Sequence, residues 1–128
     1  MQRAFIDYLS QNGIAYNKLD DSNISFNYNG LNYIMHYTEN DPFCFRLMLP
    51  RIDTQIDDTK KNLVNELNNQ YKVAKIVEAD GAYWIMADNF VYSQGNINIL
   101  FERMLNLLAE MISEYWDRTE DEEDDNND

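Results

Sequence analysis

The dipeptide Asn29-Gly30, set between two runs of alternating side chains, constrains this chain more than any other feature. Both residues accept the left-handed backbone that a two-residue type I′ turn demands, so the pair predicts a β-hairpin. Such a loop also sets the register, placing Tyr28 opposite Leu31, Phe26 opposite Tyr33 and Ile24 opposite Met35. These six apolar or aromatic residues share one face. Ser25, Asn27, Asn32 and His36 take the other, with Ile34 as the exception. A one-residue slip would mix the two sets, so the pattern tests the turn assignment and agrees with it.

Asp80-Gly81 repeats the logic and sets Ala79 against Ala82, Val77 against Trp84 and Ile76 against Ile85. Here both faces carry apolar residues, which predicts burial on both sides or an additional interface. Between the hairpins, Phe43, Phe45, Leu47 and Leu49 alternate with Cys44, Arg46 and Met48 as a strand. Glu39-Asn40-Asp41-Pro42 forms the turn before it, and Pro50 is expected to end it.

Helical spacing marks three further segments. Phe5, Ile6 and Leu9 define a first helix over Arg3 to Gln11, with Tyr8 on its flank and Asn12-Gly13 as its stop. A second spans Asp57 to Tyr71, with acids in its first turn and a thin stripe of Leu63, Val64, Leu67 and Tyr71, so it is expected to lie on the surface. The last follows a turn at Tyr92–Asn96 and runs from Ile97 to Trp116. Ile97, Phe101, Met104, Leu108, Met111 and Tyr115 form its stripe, which Leu100, Leu105, Leu107, Ile112 and Trp116 widen. The order α-β-β-β-α-β-β-α predicts an α+β fold, an antiparallel sheet with helices packed on it.

The length of 128 residues suits one domain, read as residues 1–117. Residues 118–128 are expected to be a disordered acidic tail that keeps the chain soluble. The charge divides unevenly: residues 117–128 hold eight acids and one arginine, and residues 1–116 hold fifteen acids and nine bases. No basic stripe is present to neutralise phosphates, so neither nucleic acid nor an anionic membrane surface is an expected partner. No apolar run approaches the roughly 20 residues that cross a bilayer, and the first residues lack the apolar stretch of a signal peptide. With one cysteine and no disulfide framework, these absences favour the cytoplasm.

Catalytic, metal and cofactor sites are all expected to be absent. His36 and Cys44 each occur once, and a zinc site needs about four ligands. His36 reads as a solvated strand residue and Cys44 as a small buried apolar group. The pairs Asp20-Asp21 and Asp57-Asp58 read as solvated or dipole-compensating acids. Gly13, Gly30, Gly81 and Gly95 fall at element boundaries, so no glycine-rich phosphate loop exists. What remains is a surplus of apolar surface, which on a water-soluble domain marks self-association or partner binding. Val64, Tyr71, Trp84, Leu100, Leu107 and Trp116 are the partner-binding candidates, and a protein client or regulator is the expected partner. Gly13, Asn29, Gly30, Asn65, Asn68, Asp80 and Gly81 are the structural turn residues. One alternative is a ligand pocket or enzyme site between the last helix and the sheet, using Tyr33, His36, Tyr37 or Trp84. Another is an acidic mimic that occupies a basic partner.

The run Leu63-Val64-Asn65-Glu66-Leu67-Asn68-Asn69-Gln70-Tyr71-Lys72-Val73-Ala74-Lys75 is similar to the helix, Asn-x-Leu-Asn, short turn, strand passage of YbjN-like domains. The Asp80-Gly81 hairpin follows where that family places one. Element order, size and low pI likewise resemble this family and the related class I chaperones of type III secretion. The resemblance covers about residues 1–116 in topology and 63–81 in motif. It implies a non-enzymatic, commonly homodimeric domain, chaperone-like in fold, with a client segment laid along apolar surface. Asn65 and Asn68 are expected to lock the helix-to-strand turn through local hydrogen bonds.

Overall fold

The computed structural model of the chain describes residues 2–37, 44–91 and 97–126. The expected turns at Glu39–Pro42 and Tyr92–Asn96, Gly95 among them, and Phe43 at the head of the third predicted strand lie outside the described residues. The fold is α+β. Helix α1 (Gln2–Gln11) precedes β1 (Tyr16–Lys18), β2 (Asn23–Tyr28), β3 (Leu31–Tyr37) and β4 (Cys44–Asp53). Helix α2 (Asp58–Gln70), β5 (Ala74–Ala79), β6 (Ala82–Phe90) and α3 (Ile97–Asn126) follow. One antiparallel sheet has the order β1-β2-β3-β4-β6-β5.

Both hairpins adopt the registers that their turns predict. Tyr28 pairs with Leu31, Phe26 with Tyr33 and Ile24 with Met35. Ala79 pairs with Ala82, Val77 with Trp84 and Ile76 with Ile85. Asn29 (φ +52) and Gly30 (φ +81), like Asp80 (φ +52) and Gly81 (φ +74), carry the paired positive φ that type I′ turns require.

The path of the chain departs from expectation in three places. Tyr16–Lys18, which fall outside the predicted elements, form a strand, β1, that covers the outer edge of β2 and adds a fourth strand before α2. Pro50 interrupts β4 without ending it. Leu49 pairs with Ile85 and Asp53 with Tyr83, so four steps along β4 match two along β6. The surplus holds Pro50, which has no N–H for the ladder, and Arg51, whose φ of +46 bends the strand. Finally, α3 does not stop at Trp116. The stripe that reaches Tyr115 continues four residues on to Thr119, which is buried and donates its hydroxyl to the Tyr115 carbonyl at 2.7 Å. Arg118 pairs with Glu66 of α2, so residues 118 and 119 belong to the folded body and the helix extends to Asn126.

The helices cover one face of the sheet, and the core lies between. Phe5 of α1 meets Phe101 of α3 at 4.8 Å between ring centroids and Phe26 of β2 at 5.3 Å. Phe45 of β4 meets Phe101 at 5.5 Å, and Tyr33 stacks on Phe26 at 5.3 Å. Edge-on and offset rings at such distances add about 0.5–1.5 kcal/mol per pair to their area burial. The Tyr33 hydroxyl donates to the Leu105 carbonyl at 3.0 Å, and burial pushes its pKa up to about 12. Leu63, Val64 and Leu67 of α2 enter the same core, so α2 is docked more deeply than its thin stripe predicts.

Candidate protein-binding surface

His36, Asp20, Asp57, Tyr33 and Trp84 each have a hydrogen-bond partner, whereas the buried Tyr37 hydroxyl has none among the described residues. His36 Nδ1 and Asn23 Oδ1 lie 3.0 Å apart across β2 and β3. Cys44 is half-buried, not fully buried, and pairs in register with Phe90, whereas His36 pairs with Arg46. The two residues share a sheet face but occupy different rows. Asp20 accepts from the Ser22 N–H at 2.7 Å and from Asn23 Nδ2 at 3.0 Å, and these bonds hold its carboxyl below the usual value. Asp57 caps α2 by accepting from the Lys60 N–H at 2.8 Å. Among the described residues no group of three or more His, Cys, Asp or Glu side chains is placed to hold a metal ion. No helix among them is long and apolar enough to cross a membrane.

A buried ionic cluster was not anticipated. Asp53 and Lys60 are 7% and 6% exposed, and Lys60 Nζ lies 2.9 Å from Asp53 Oδ2. Tyr115 donates its hydroxyl to the same oxygen at 2.6 Å, the Gln55 N–H donates to Oδ1 at 2.9 Å, and Lys60 also donates to the Gln55 carbonyl. Burial pushes the Asp53 carboxyl up, but these hydrogen bonds and the Lys60 charge outweigh it and hold the group below its ordinary value. The cluster joins the end of β4, α2 and α3. Its one sequence signal is Lys60 at helical spacing with Leu63, Val64 and Leu67.

Asn68 has a distinct job. Its Nδ2 donates to the Ile76 carbonyl at 2.9 Å, and its Oδ1 accepts from the Ile76 N–H at 2.7 Å. One side-chain amide thus pairs with β5 as a neighbouring strand would, which closes the middle of that edge. Lys75 donates to the carbonyls of Asn68 and Tyr71 at the end of α2. Asn65, by contrast, is exposed in the middle of α2 and takes no part in the turn.

The six partner-binding candidates do not form one surface. Val64 and Tyr71 are buried in the core. Leu100, Leu107 and Trp116 are half-buried on α3. Trp84 lies on the opposite face of the sheet and donates its indole N–H to the Ala79 carbonyl at 3.2 Å. Tyr33 and Tyr37 face the helices while His36 and Trp84 face away, so the residues expected for a pocket under α3 are divided by the sheet.

The face turned away from the helices carries the larger apolar array. Register places Ile34 of β3 beside Met48 of β4, Met48 beside Met86 of β6, and Met86 beside Lys75 of β5. The next row holds Trp84 and Val77, and Phe90 stands 54% exposed at the end of β6. Across β4 and β6, Arg46 donates to both carboxylate oxygens of Asp88, from Nε at 2.6 Å and Nη2 at 3.0 Å. Toward β1 the same face turns polar, with Asn17, Ser25, Asn27 and Asn32, and Asn27 donates to Asn32 at 3.0 Å. Among the described strand residues, Asp88 is the one acid on this face, on a chain of net charge −13. Compared with protein-family models, with curated proteins and with solved structures, the chain matches none.

Proposed function

We propose that this is a non-catalytic protein-binding domain whose open sheet face receives another polypeptide. The observation that carries the reading is the row Ile34–Met48–Met86, continued by Trp84 and Val77, on the face that no helix of the described chain covers. Unbranched methionine side chains adapt to differently shaped partners, and two side by side at the centre of a sheet suit recognition more than rigidity. Apart from the added strand β1, the element order resembles that of YbjN-like and secretion-chaperone domains, which supports the same reading.

A second copy is the occupant that charge favours. Two chains of net charge −13 repel wherever their acidic surfaces meet, but this face presents one acid already paired to an arginine. In a two-fold dimer each face meets itself, so the methionine rows pack on one another and Arg46 of each chain can also reach Asp88 of the other. Light scattering across a concentration series should give twice the 15.2 kDa chain mass, falling to one chain mass for Met86→Glu. A monomer at every concentration would remove the second copy as occupant. A photo-crosslinker at Val77, used in cells, would then test for a different chain.

A further inference from the structure

A smaller groove on the helical side of the molecule has an apolar floor and two acids without a counter-charge. It is an open groove of about 360 Å³ between the end of α2, the start of β5 and the middle of α3. Gln70, Tyr71, Lys72, Val73, Leu107 and Glu110 line it. Val73 is 46% exposed and Leu107 half-buried, so the floor is apolar and reachable from solvent. The volume lies near the lower end of the roughly 300–1,000 Å³ that ligand sites occupy, enough for a few side chains.

Two carboxylates converge at one end. The Tyr71 hydroxyl donates to Glu114 at 2.6 Å, and Glu110 lies 3.5 Å from the same oxygen. A phenol has one proton, so the shorter contact uses it and Glu110 is left weakly engaged. Gln70 donates to the other oxygen of Glu114 at 3.3 Å. Among the described residues no lysine or arginine lies within 4.0 Å of either acid. Arg118, one turn beyond Glu114, pairs with Glu66, and Lys75 donates to the two carbonyls at the end of α2. Lys72 lines the groove but forms no ion pair with the acids. Two like charges one helical turn apart destabilise each other, and a cation set between them removes that cost.

We propose that this groove docks an arginine and an adjacent apolar side chain of a partner polypeptide. The guanidinium reaches Glu110 and Glu114, and the apolar neighbour covers Val73 and Leu107. Arginine fits better than lysine because its planar fork can serve two carboxylates at once, and its stem adds apolar contact. The site is separate from the open sheet face, and each can fail without the other.

The test uses the full chain and two blocked peptides, Gly-Leu-Arg-Leu-Gly and its twin with neutral citrulline in place of arginine. The methyl NMR signals of Val73 and Leu107 should shift and saturate with the arginine peptide, and the citrulline twin should bind about tenfold more weakly. Glu110→Gln should bring the two peptides close to equal affinity, and Glu110→Gln with Glu114→Gln should complete the change. The single variant alters an exposed side chain, so it keeps the test decisive if the double variant fails to fold. Equal binding of the two peptides by the natural chain would overturn the proposal. So would shifts confined to the methyls of Met48 and Met86, or no shift at about 10 mM peptide.

Discussion

The two hairpins share a backbone plan and differ in what they show to solvent. Each turns on a pair of residues with positive φ, and each buries alternate side chains under the helices. On the open face, β2 and β3 present Asn23, Ser25, Asn27, Asn32 and His36, several of them bonded to one another, with Ile34 the one apolar residue, at the border with β4. On the same face, β5 and β6 present Val77, Trp84 and Met86. Their edges differ as well: β1 pairs along β2, whereas β5 is closed at Ile76 by the amide of Asn68 alone. Turn chemistry and the inward residues thus specify the hairpin, and the outward residues decide whether its far side is polar or apolar.

The strongest way to separate the hairpins is to break the anchor of the second one. Asp53 pairs with Tyr83 across β4 and β6 and accepts hydrogen bonds from Tyr115 and Lys60. Asp53→Ala leaves the Lys60 ammonium buried without its partner and should cost about 3–5 kcal/mol in urea unfolding. Acid should act in the same direction. A carboxyl held below its ordinary value contributes stability that is complete above the unfolded range near pH 4 and is lost as pH falls through the lowered folded value. Amide hydrogen exchange at decreasing pH should therefore loosen the β4 end and the β5–β6 hairpin before the β2–β3 hairpin, whose Tyr33 anchor has no carboxylate.

Asn68→Ala tests the edge. It removes two hydrogen bonds to Ile76 and should cost about 1–3 kcal/mol at about 0.5–1.5 kcal/mol each, with increased aggregation from the opened strand. Thermal melts with light scattering read both effects. The turns should behave alike. An added Cβ meets nothing within 4 Å at Gly30 or Gly81, so Gly30→Ala and Gly81→Ala should each cost only the left-handed backbone penalty, about 1–2 kcal/mol. A large difference between the two would mean that the turns are not equivalent. The smallest stability change is expected on the open face, where Met86→Thr and Asn27→Ser should each shift unfolding by about 0.5–1 kcal/mol. Only the methionine change should alter association.

Sequence reading reached what local chemistry specifies. Both hairpin registers follow from two-residue turns, and α1 and α2 follow from their spacing and boundary residues. The central row was out of reach because Ile34, Met48 and Met86 come from three strands, and their meeting depends on β3–β4 and β4–β6 pairings that no tight turn dictates. Ile34 stood out only as an exception to alternation. Pro50 misled because a strand can pass a proline when the lost N–H coincides with a bulge. The end of α3 misled because acidic composition masked Thr119, which continues the buried stripe. Lys60 was overlooked because its buried partner, Asp53, lies just past that bulge.

On the proposed function, the open face binds along Ile34 and the outward residues of β4, β6 and β5, while the polar part formed by β1, β2 and the rest of β3 stays in water. Paramagnetic broadening by a soluble nitroxide, measured at low and high protein concentration, tests it most directly. As the chain associates, the methyl signals of Met48, Met86 and Val77 should become protected, while the amides of Ser25 and Asn27 stay broadened. Met86→Glu should abolish the protection. Broadening of those methyls that is unchanged with concentration, or protection that spreads equally over both parts of the face, would contradict the account.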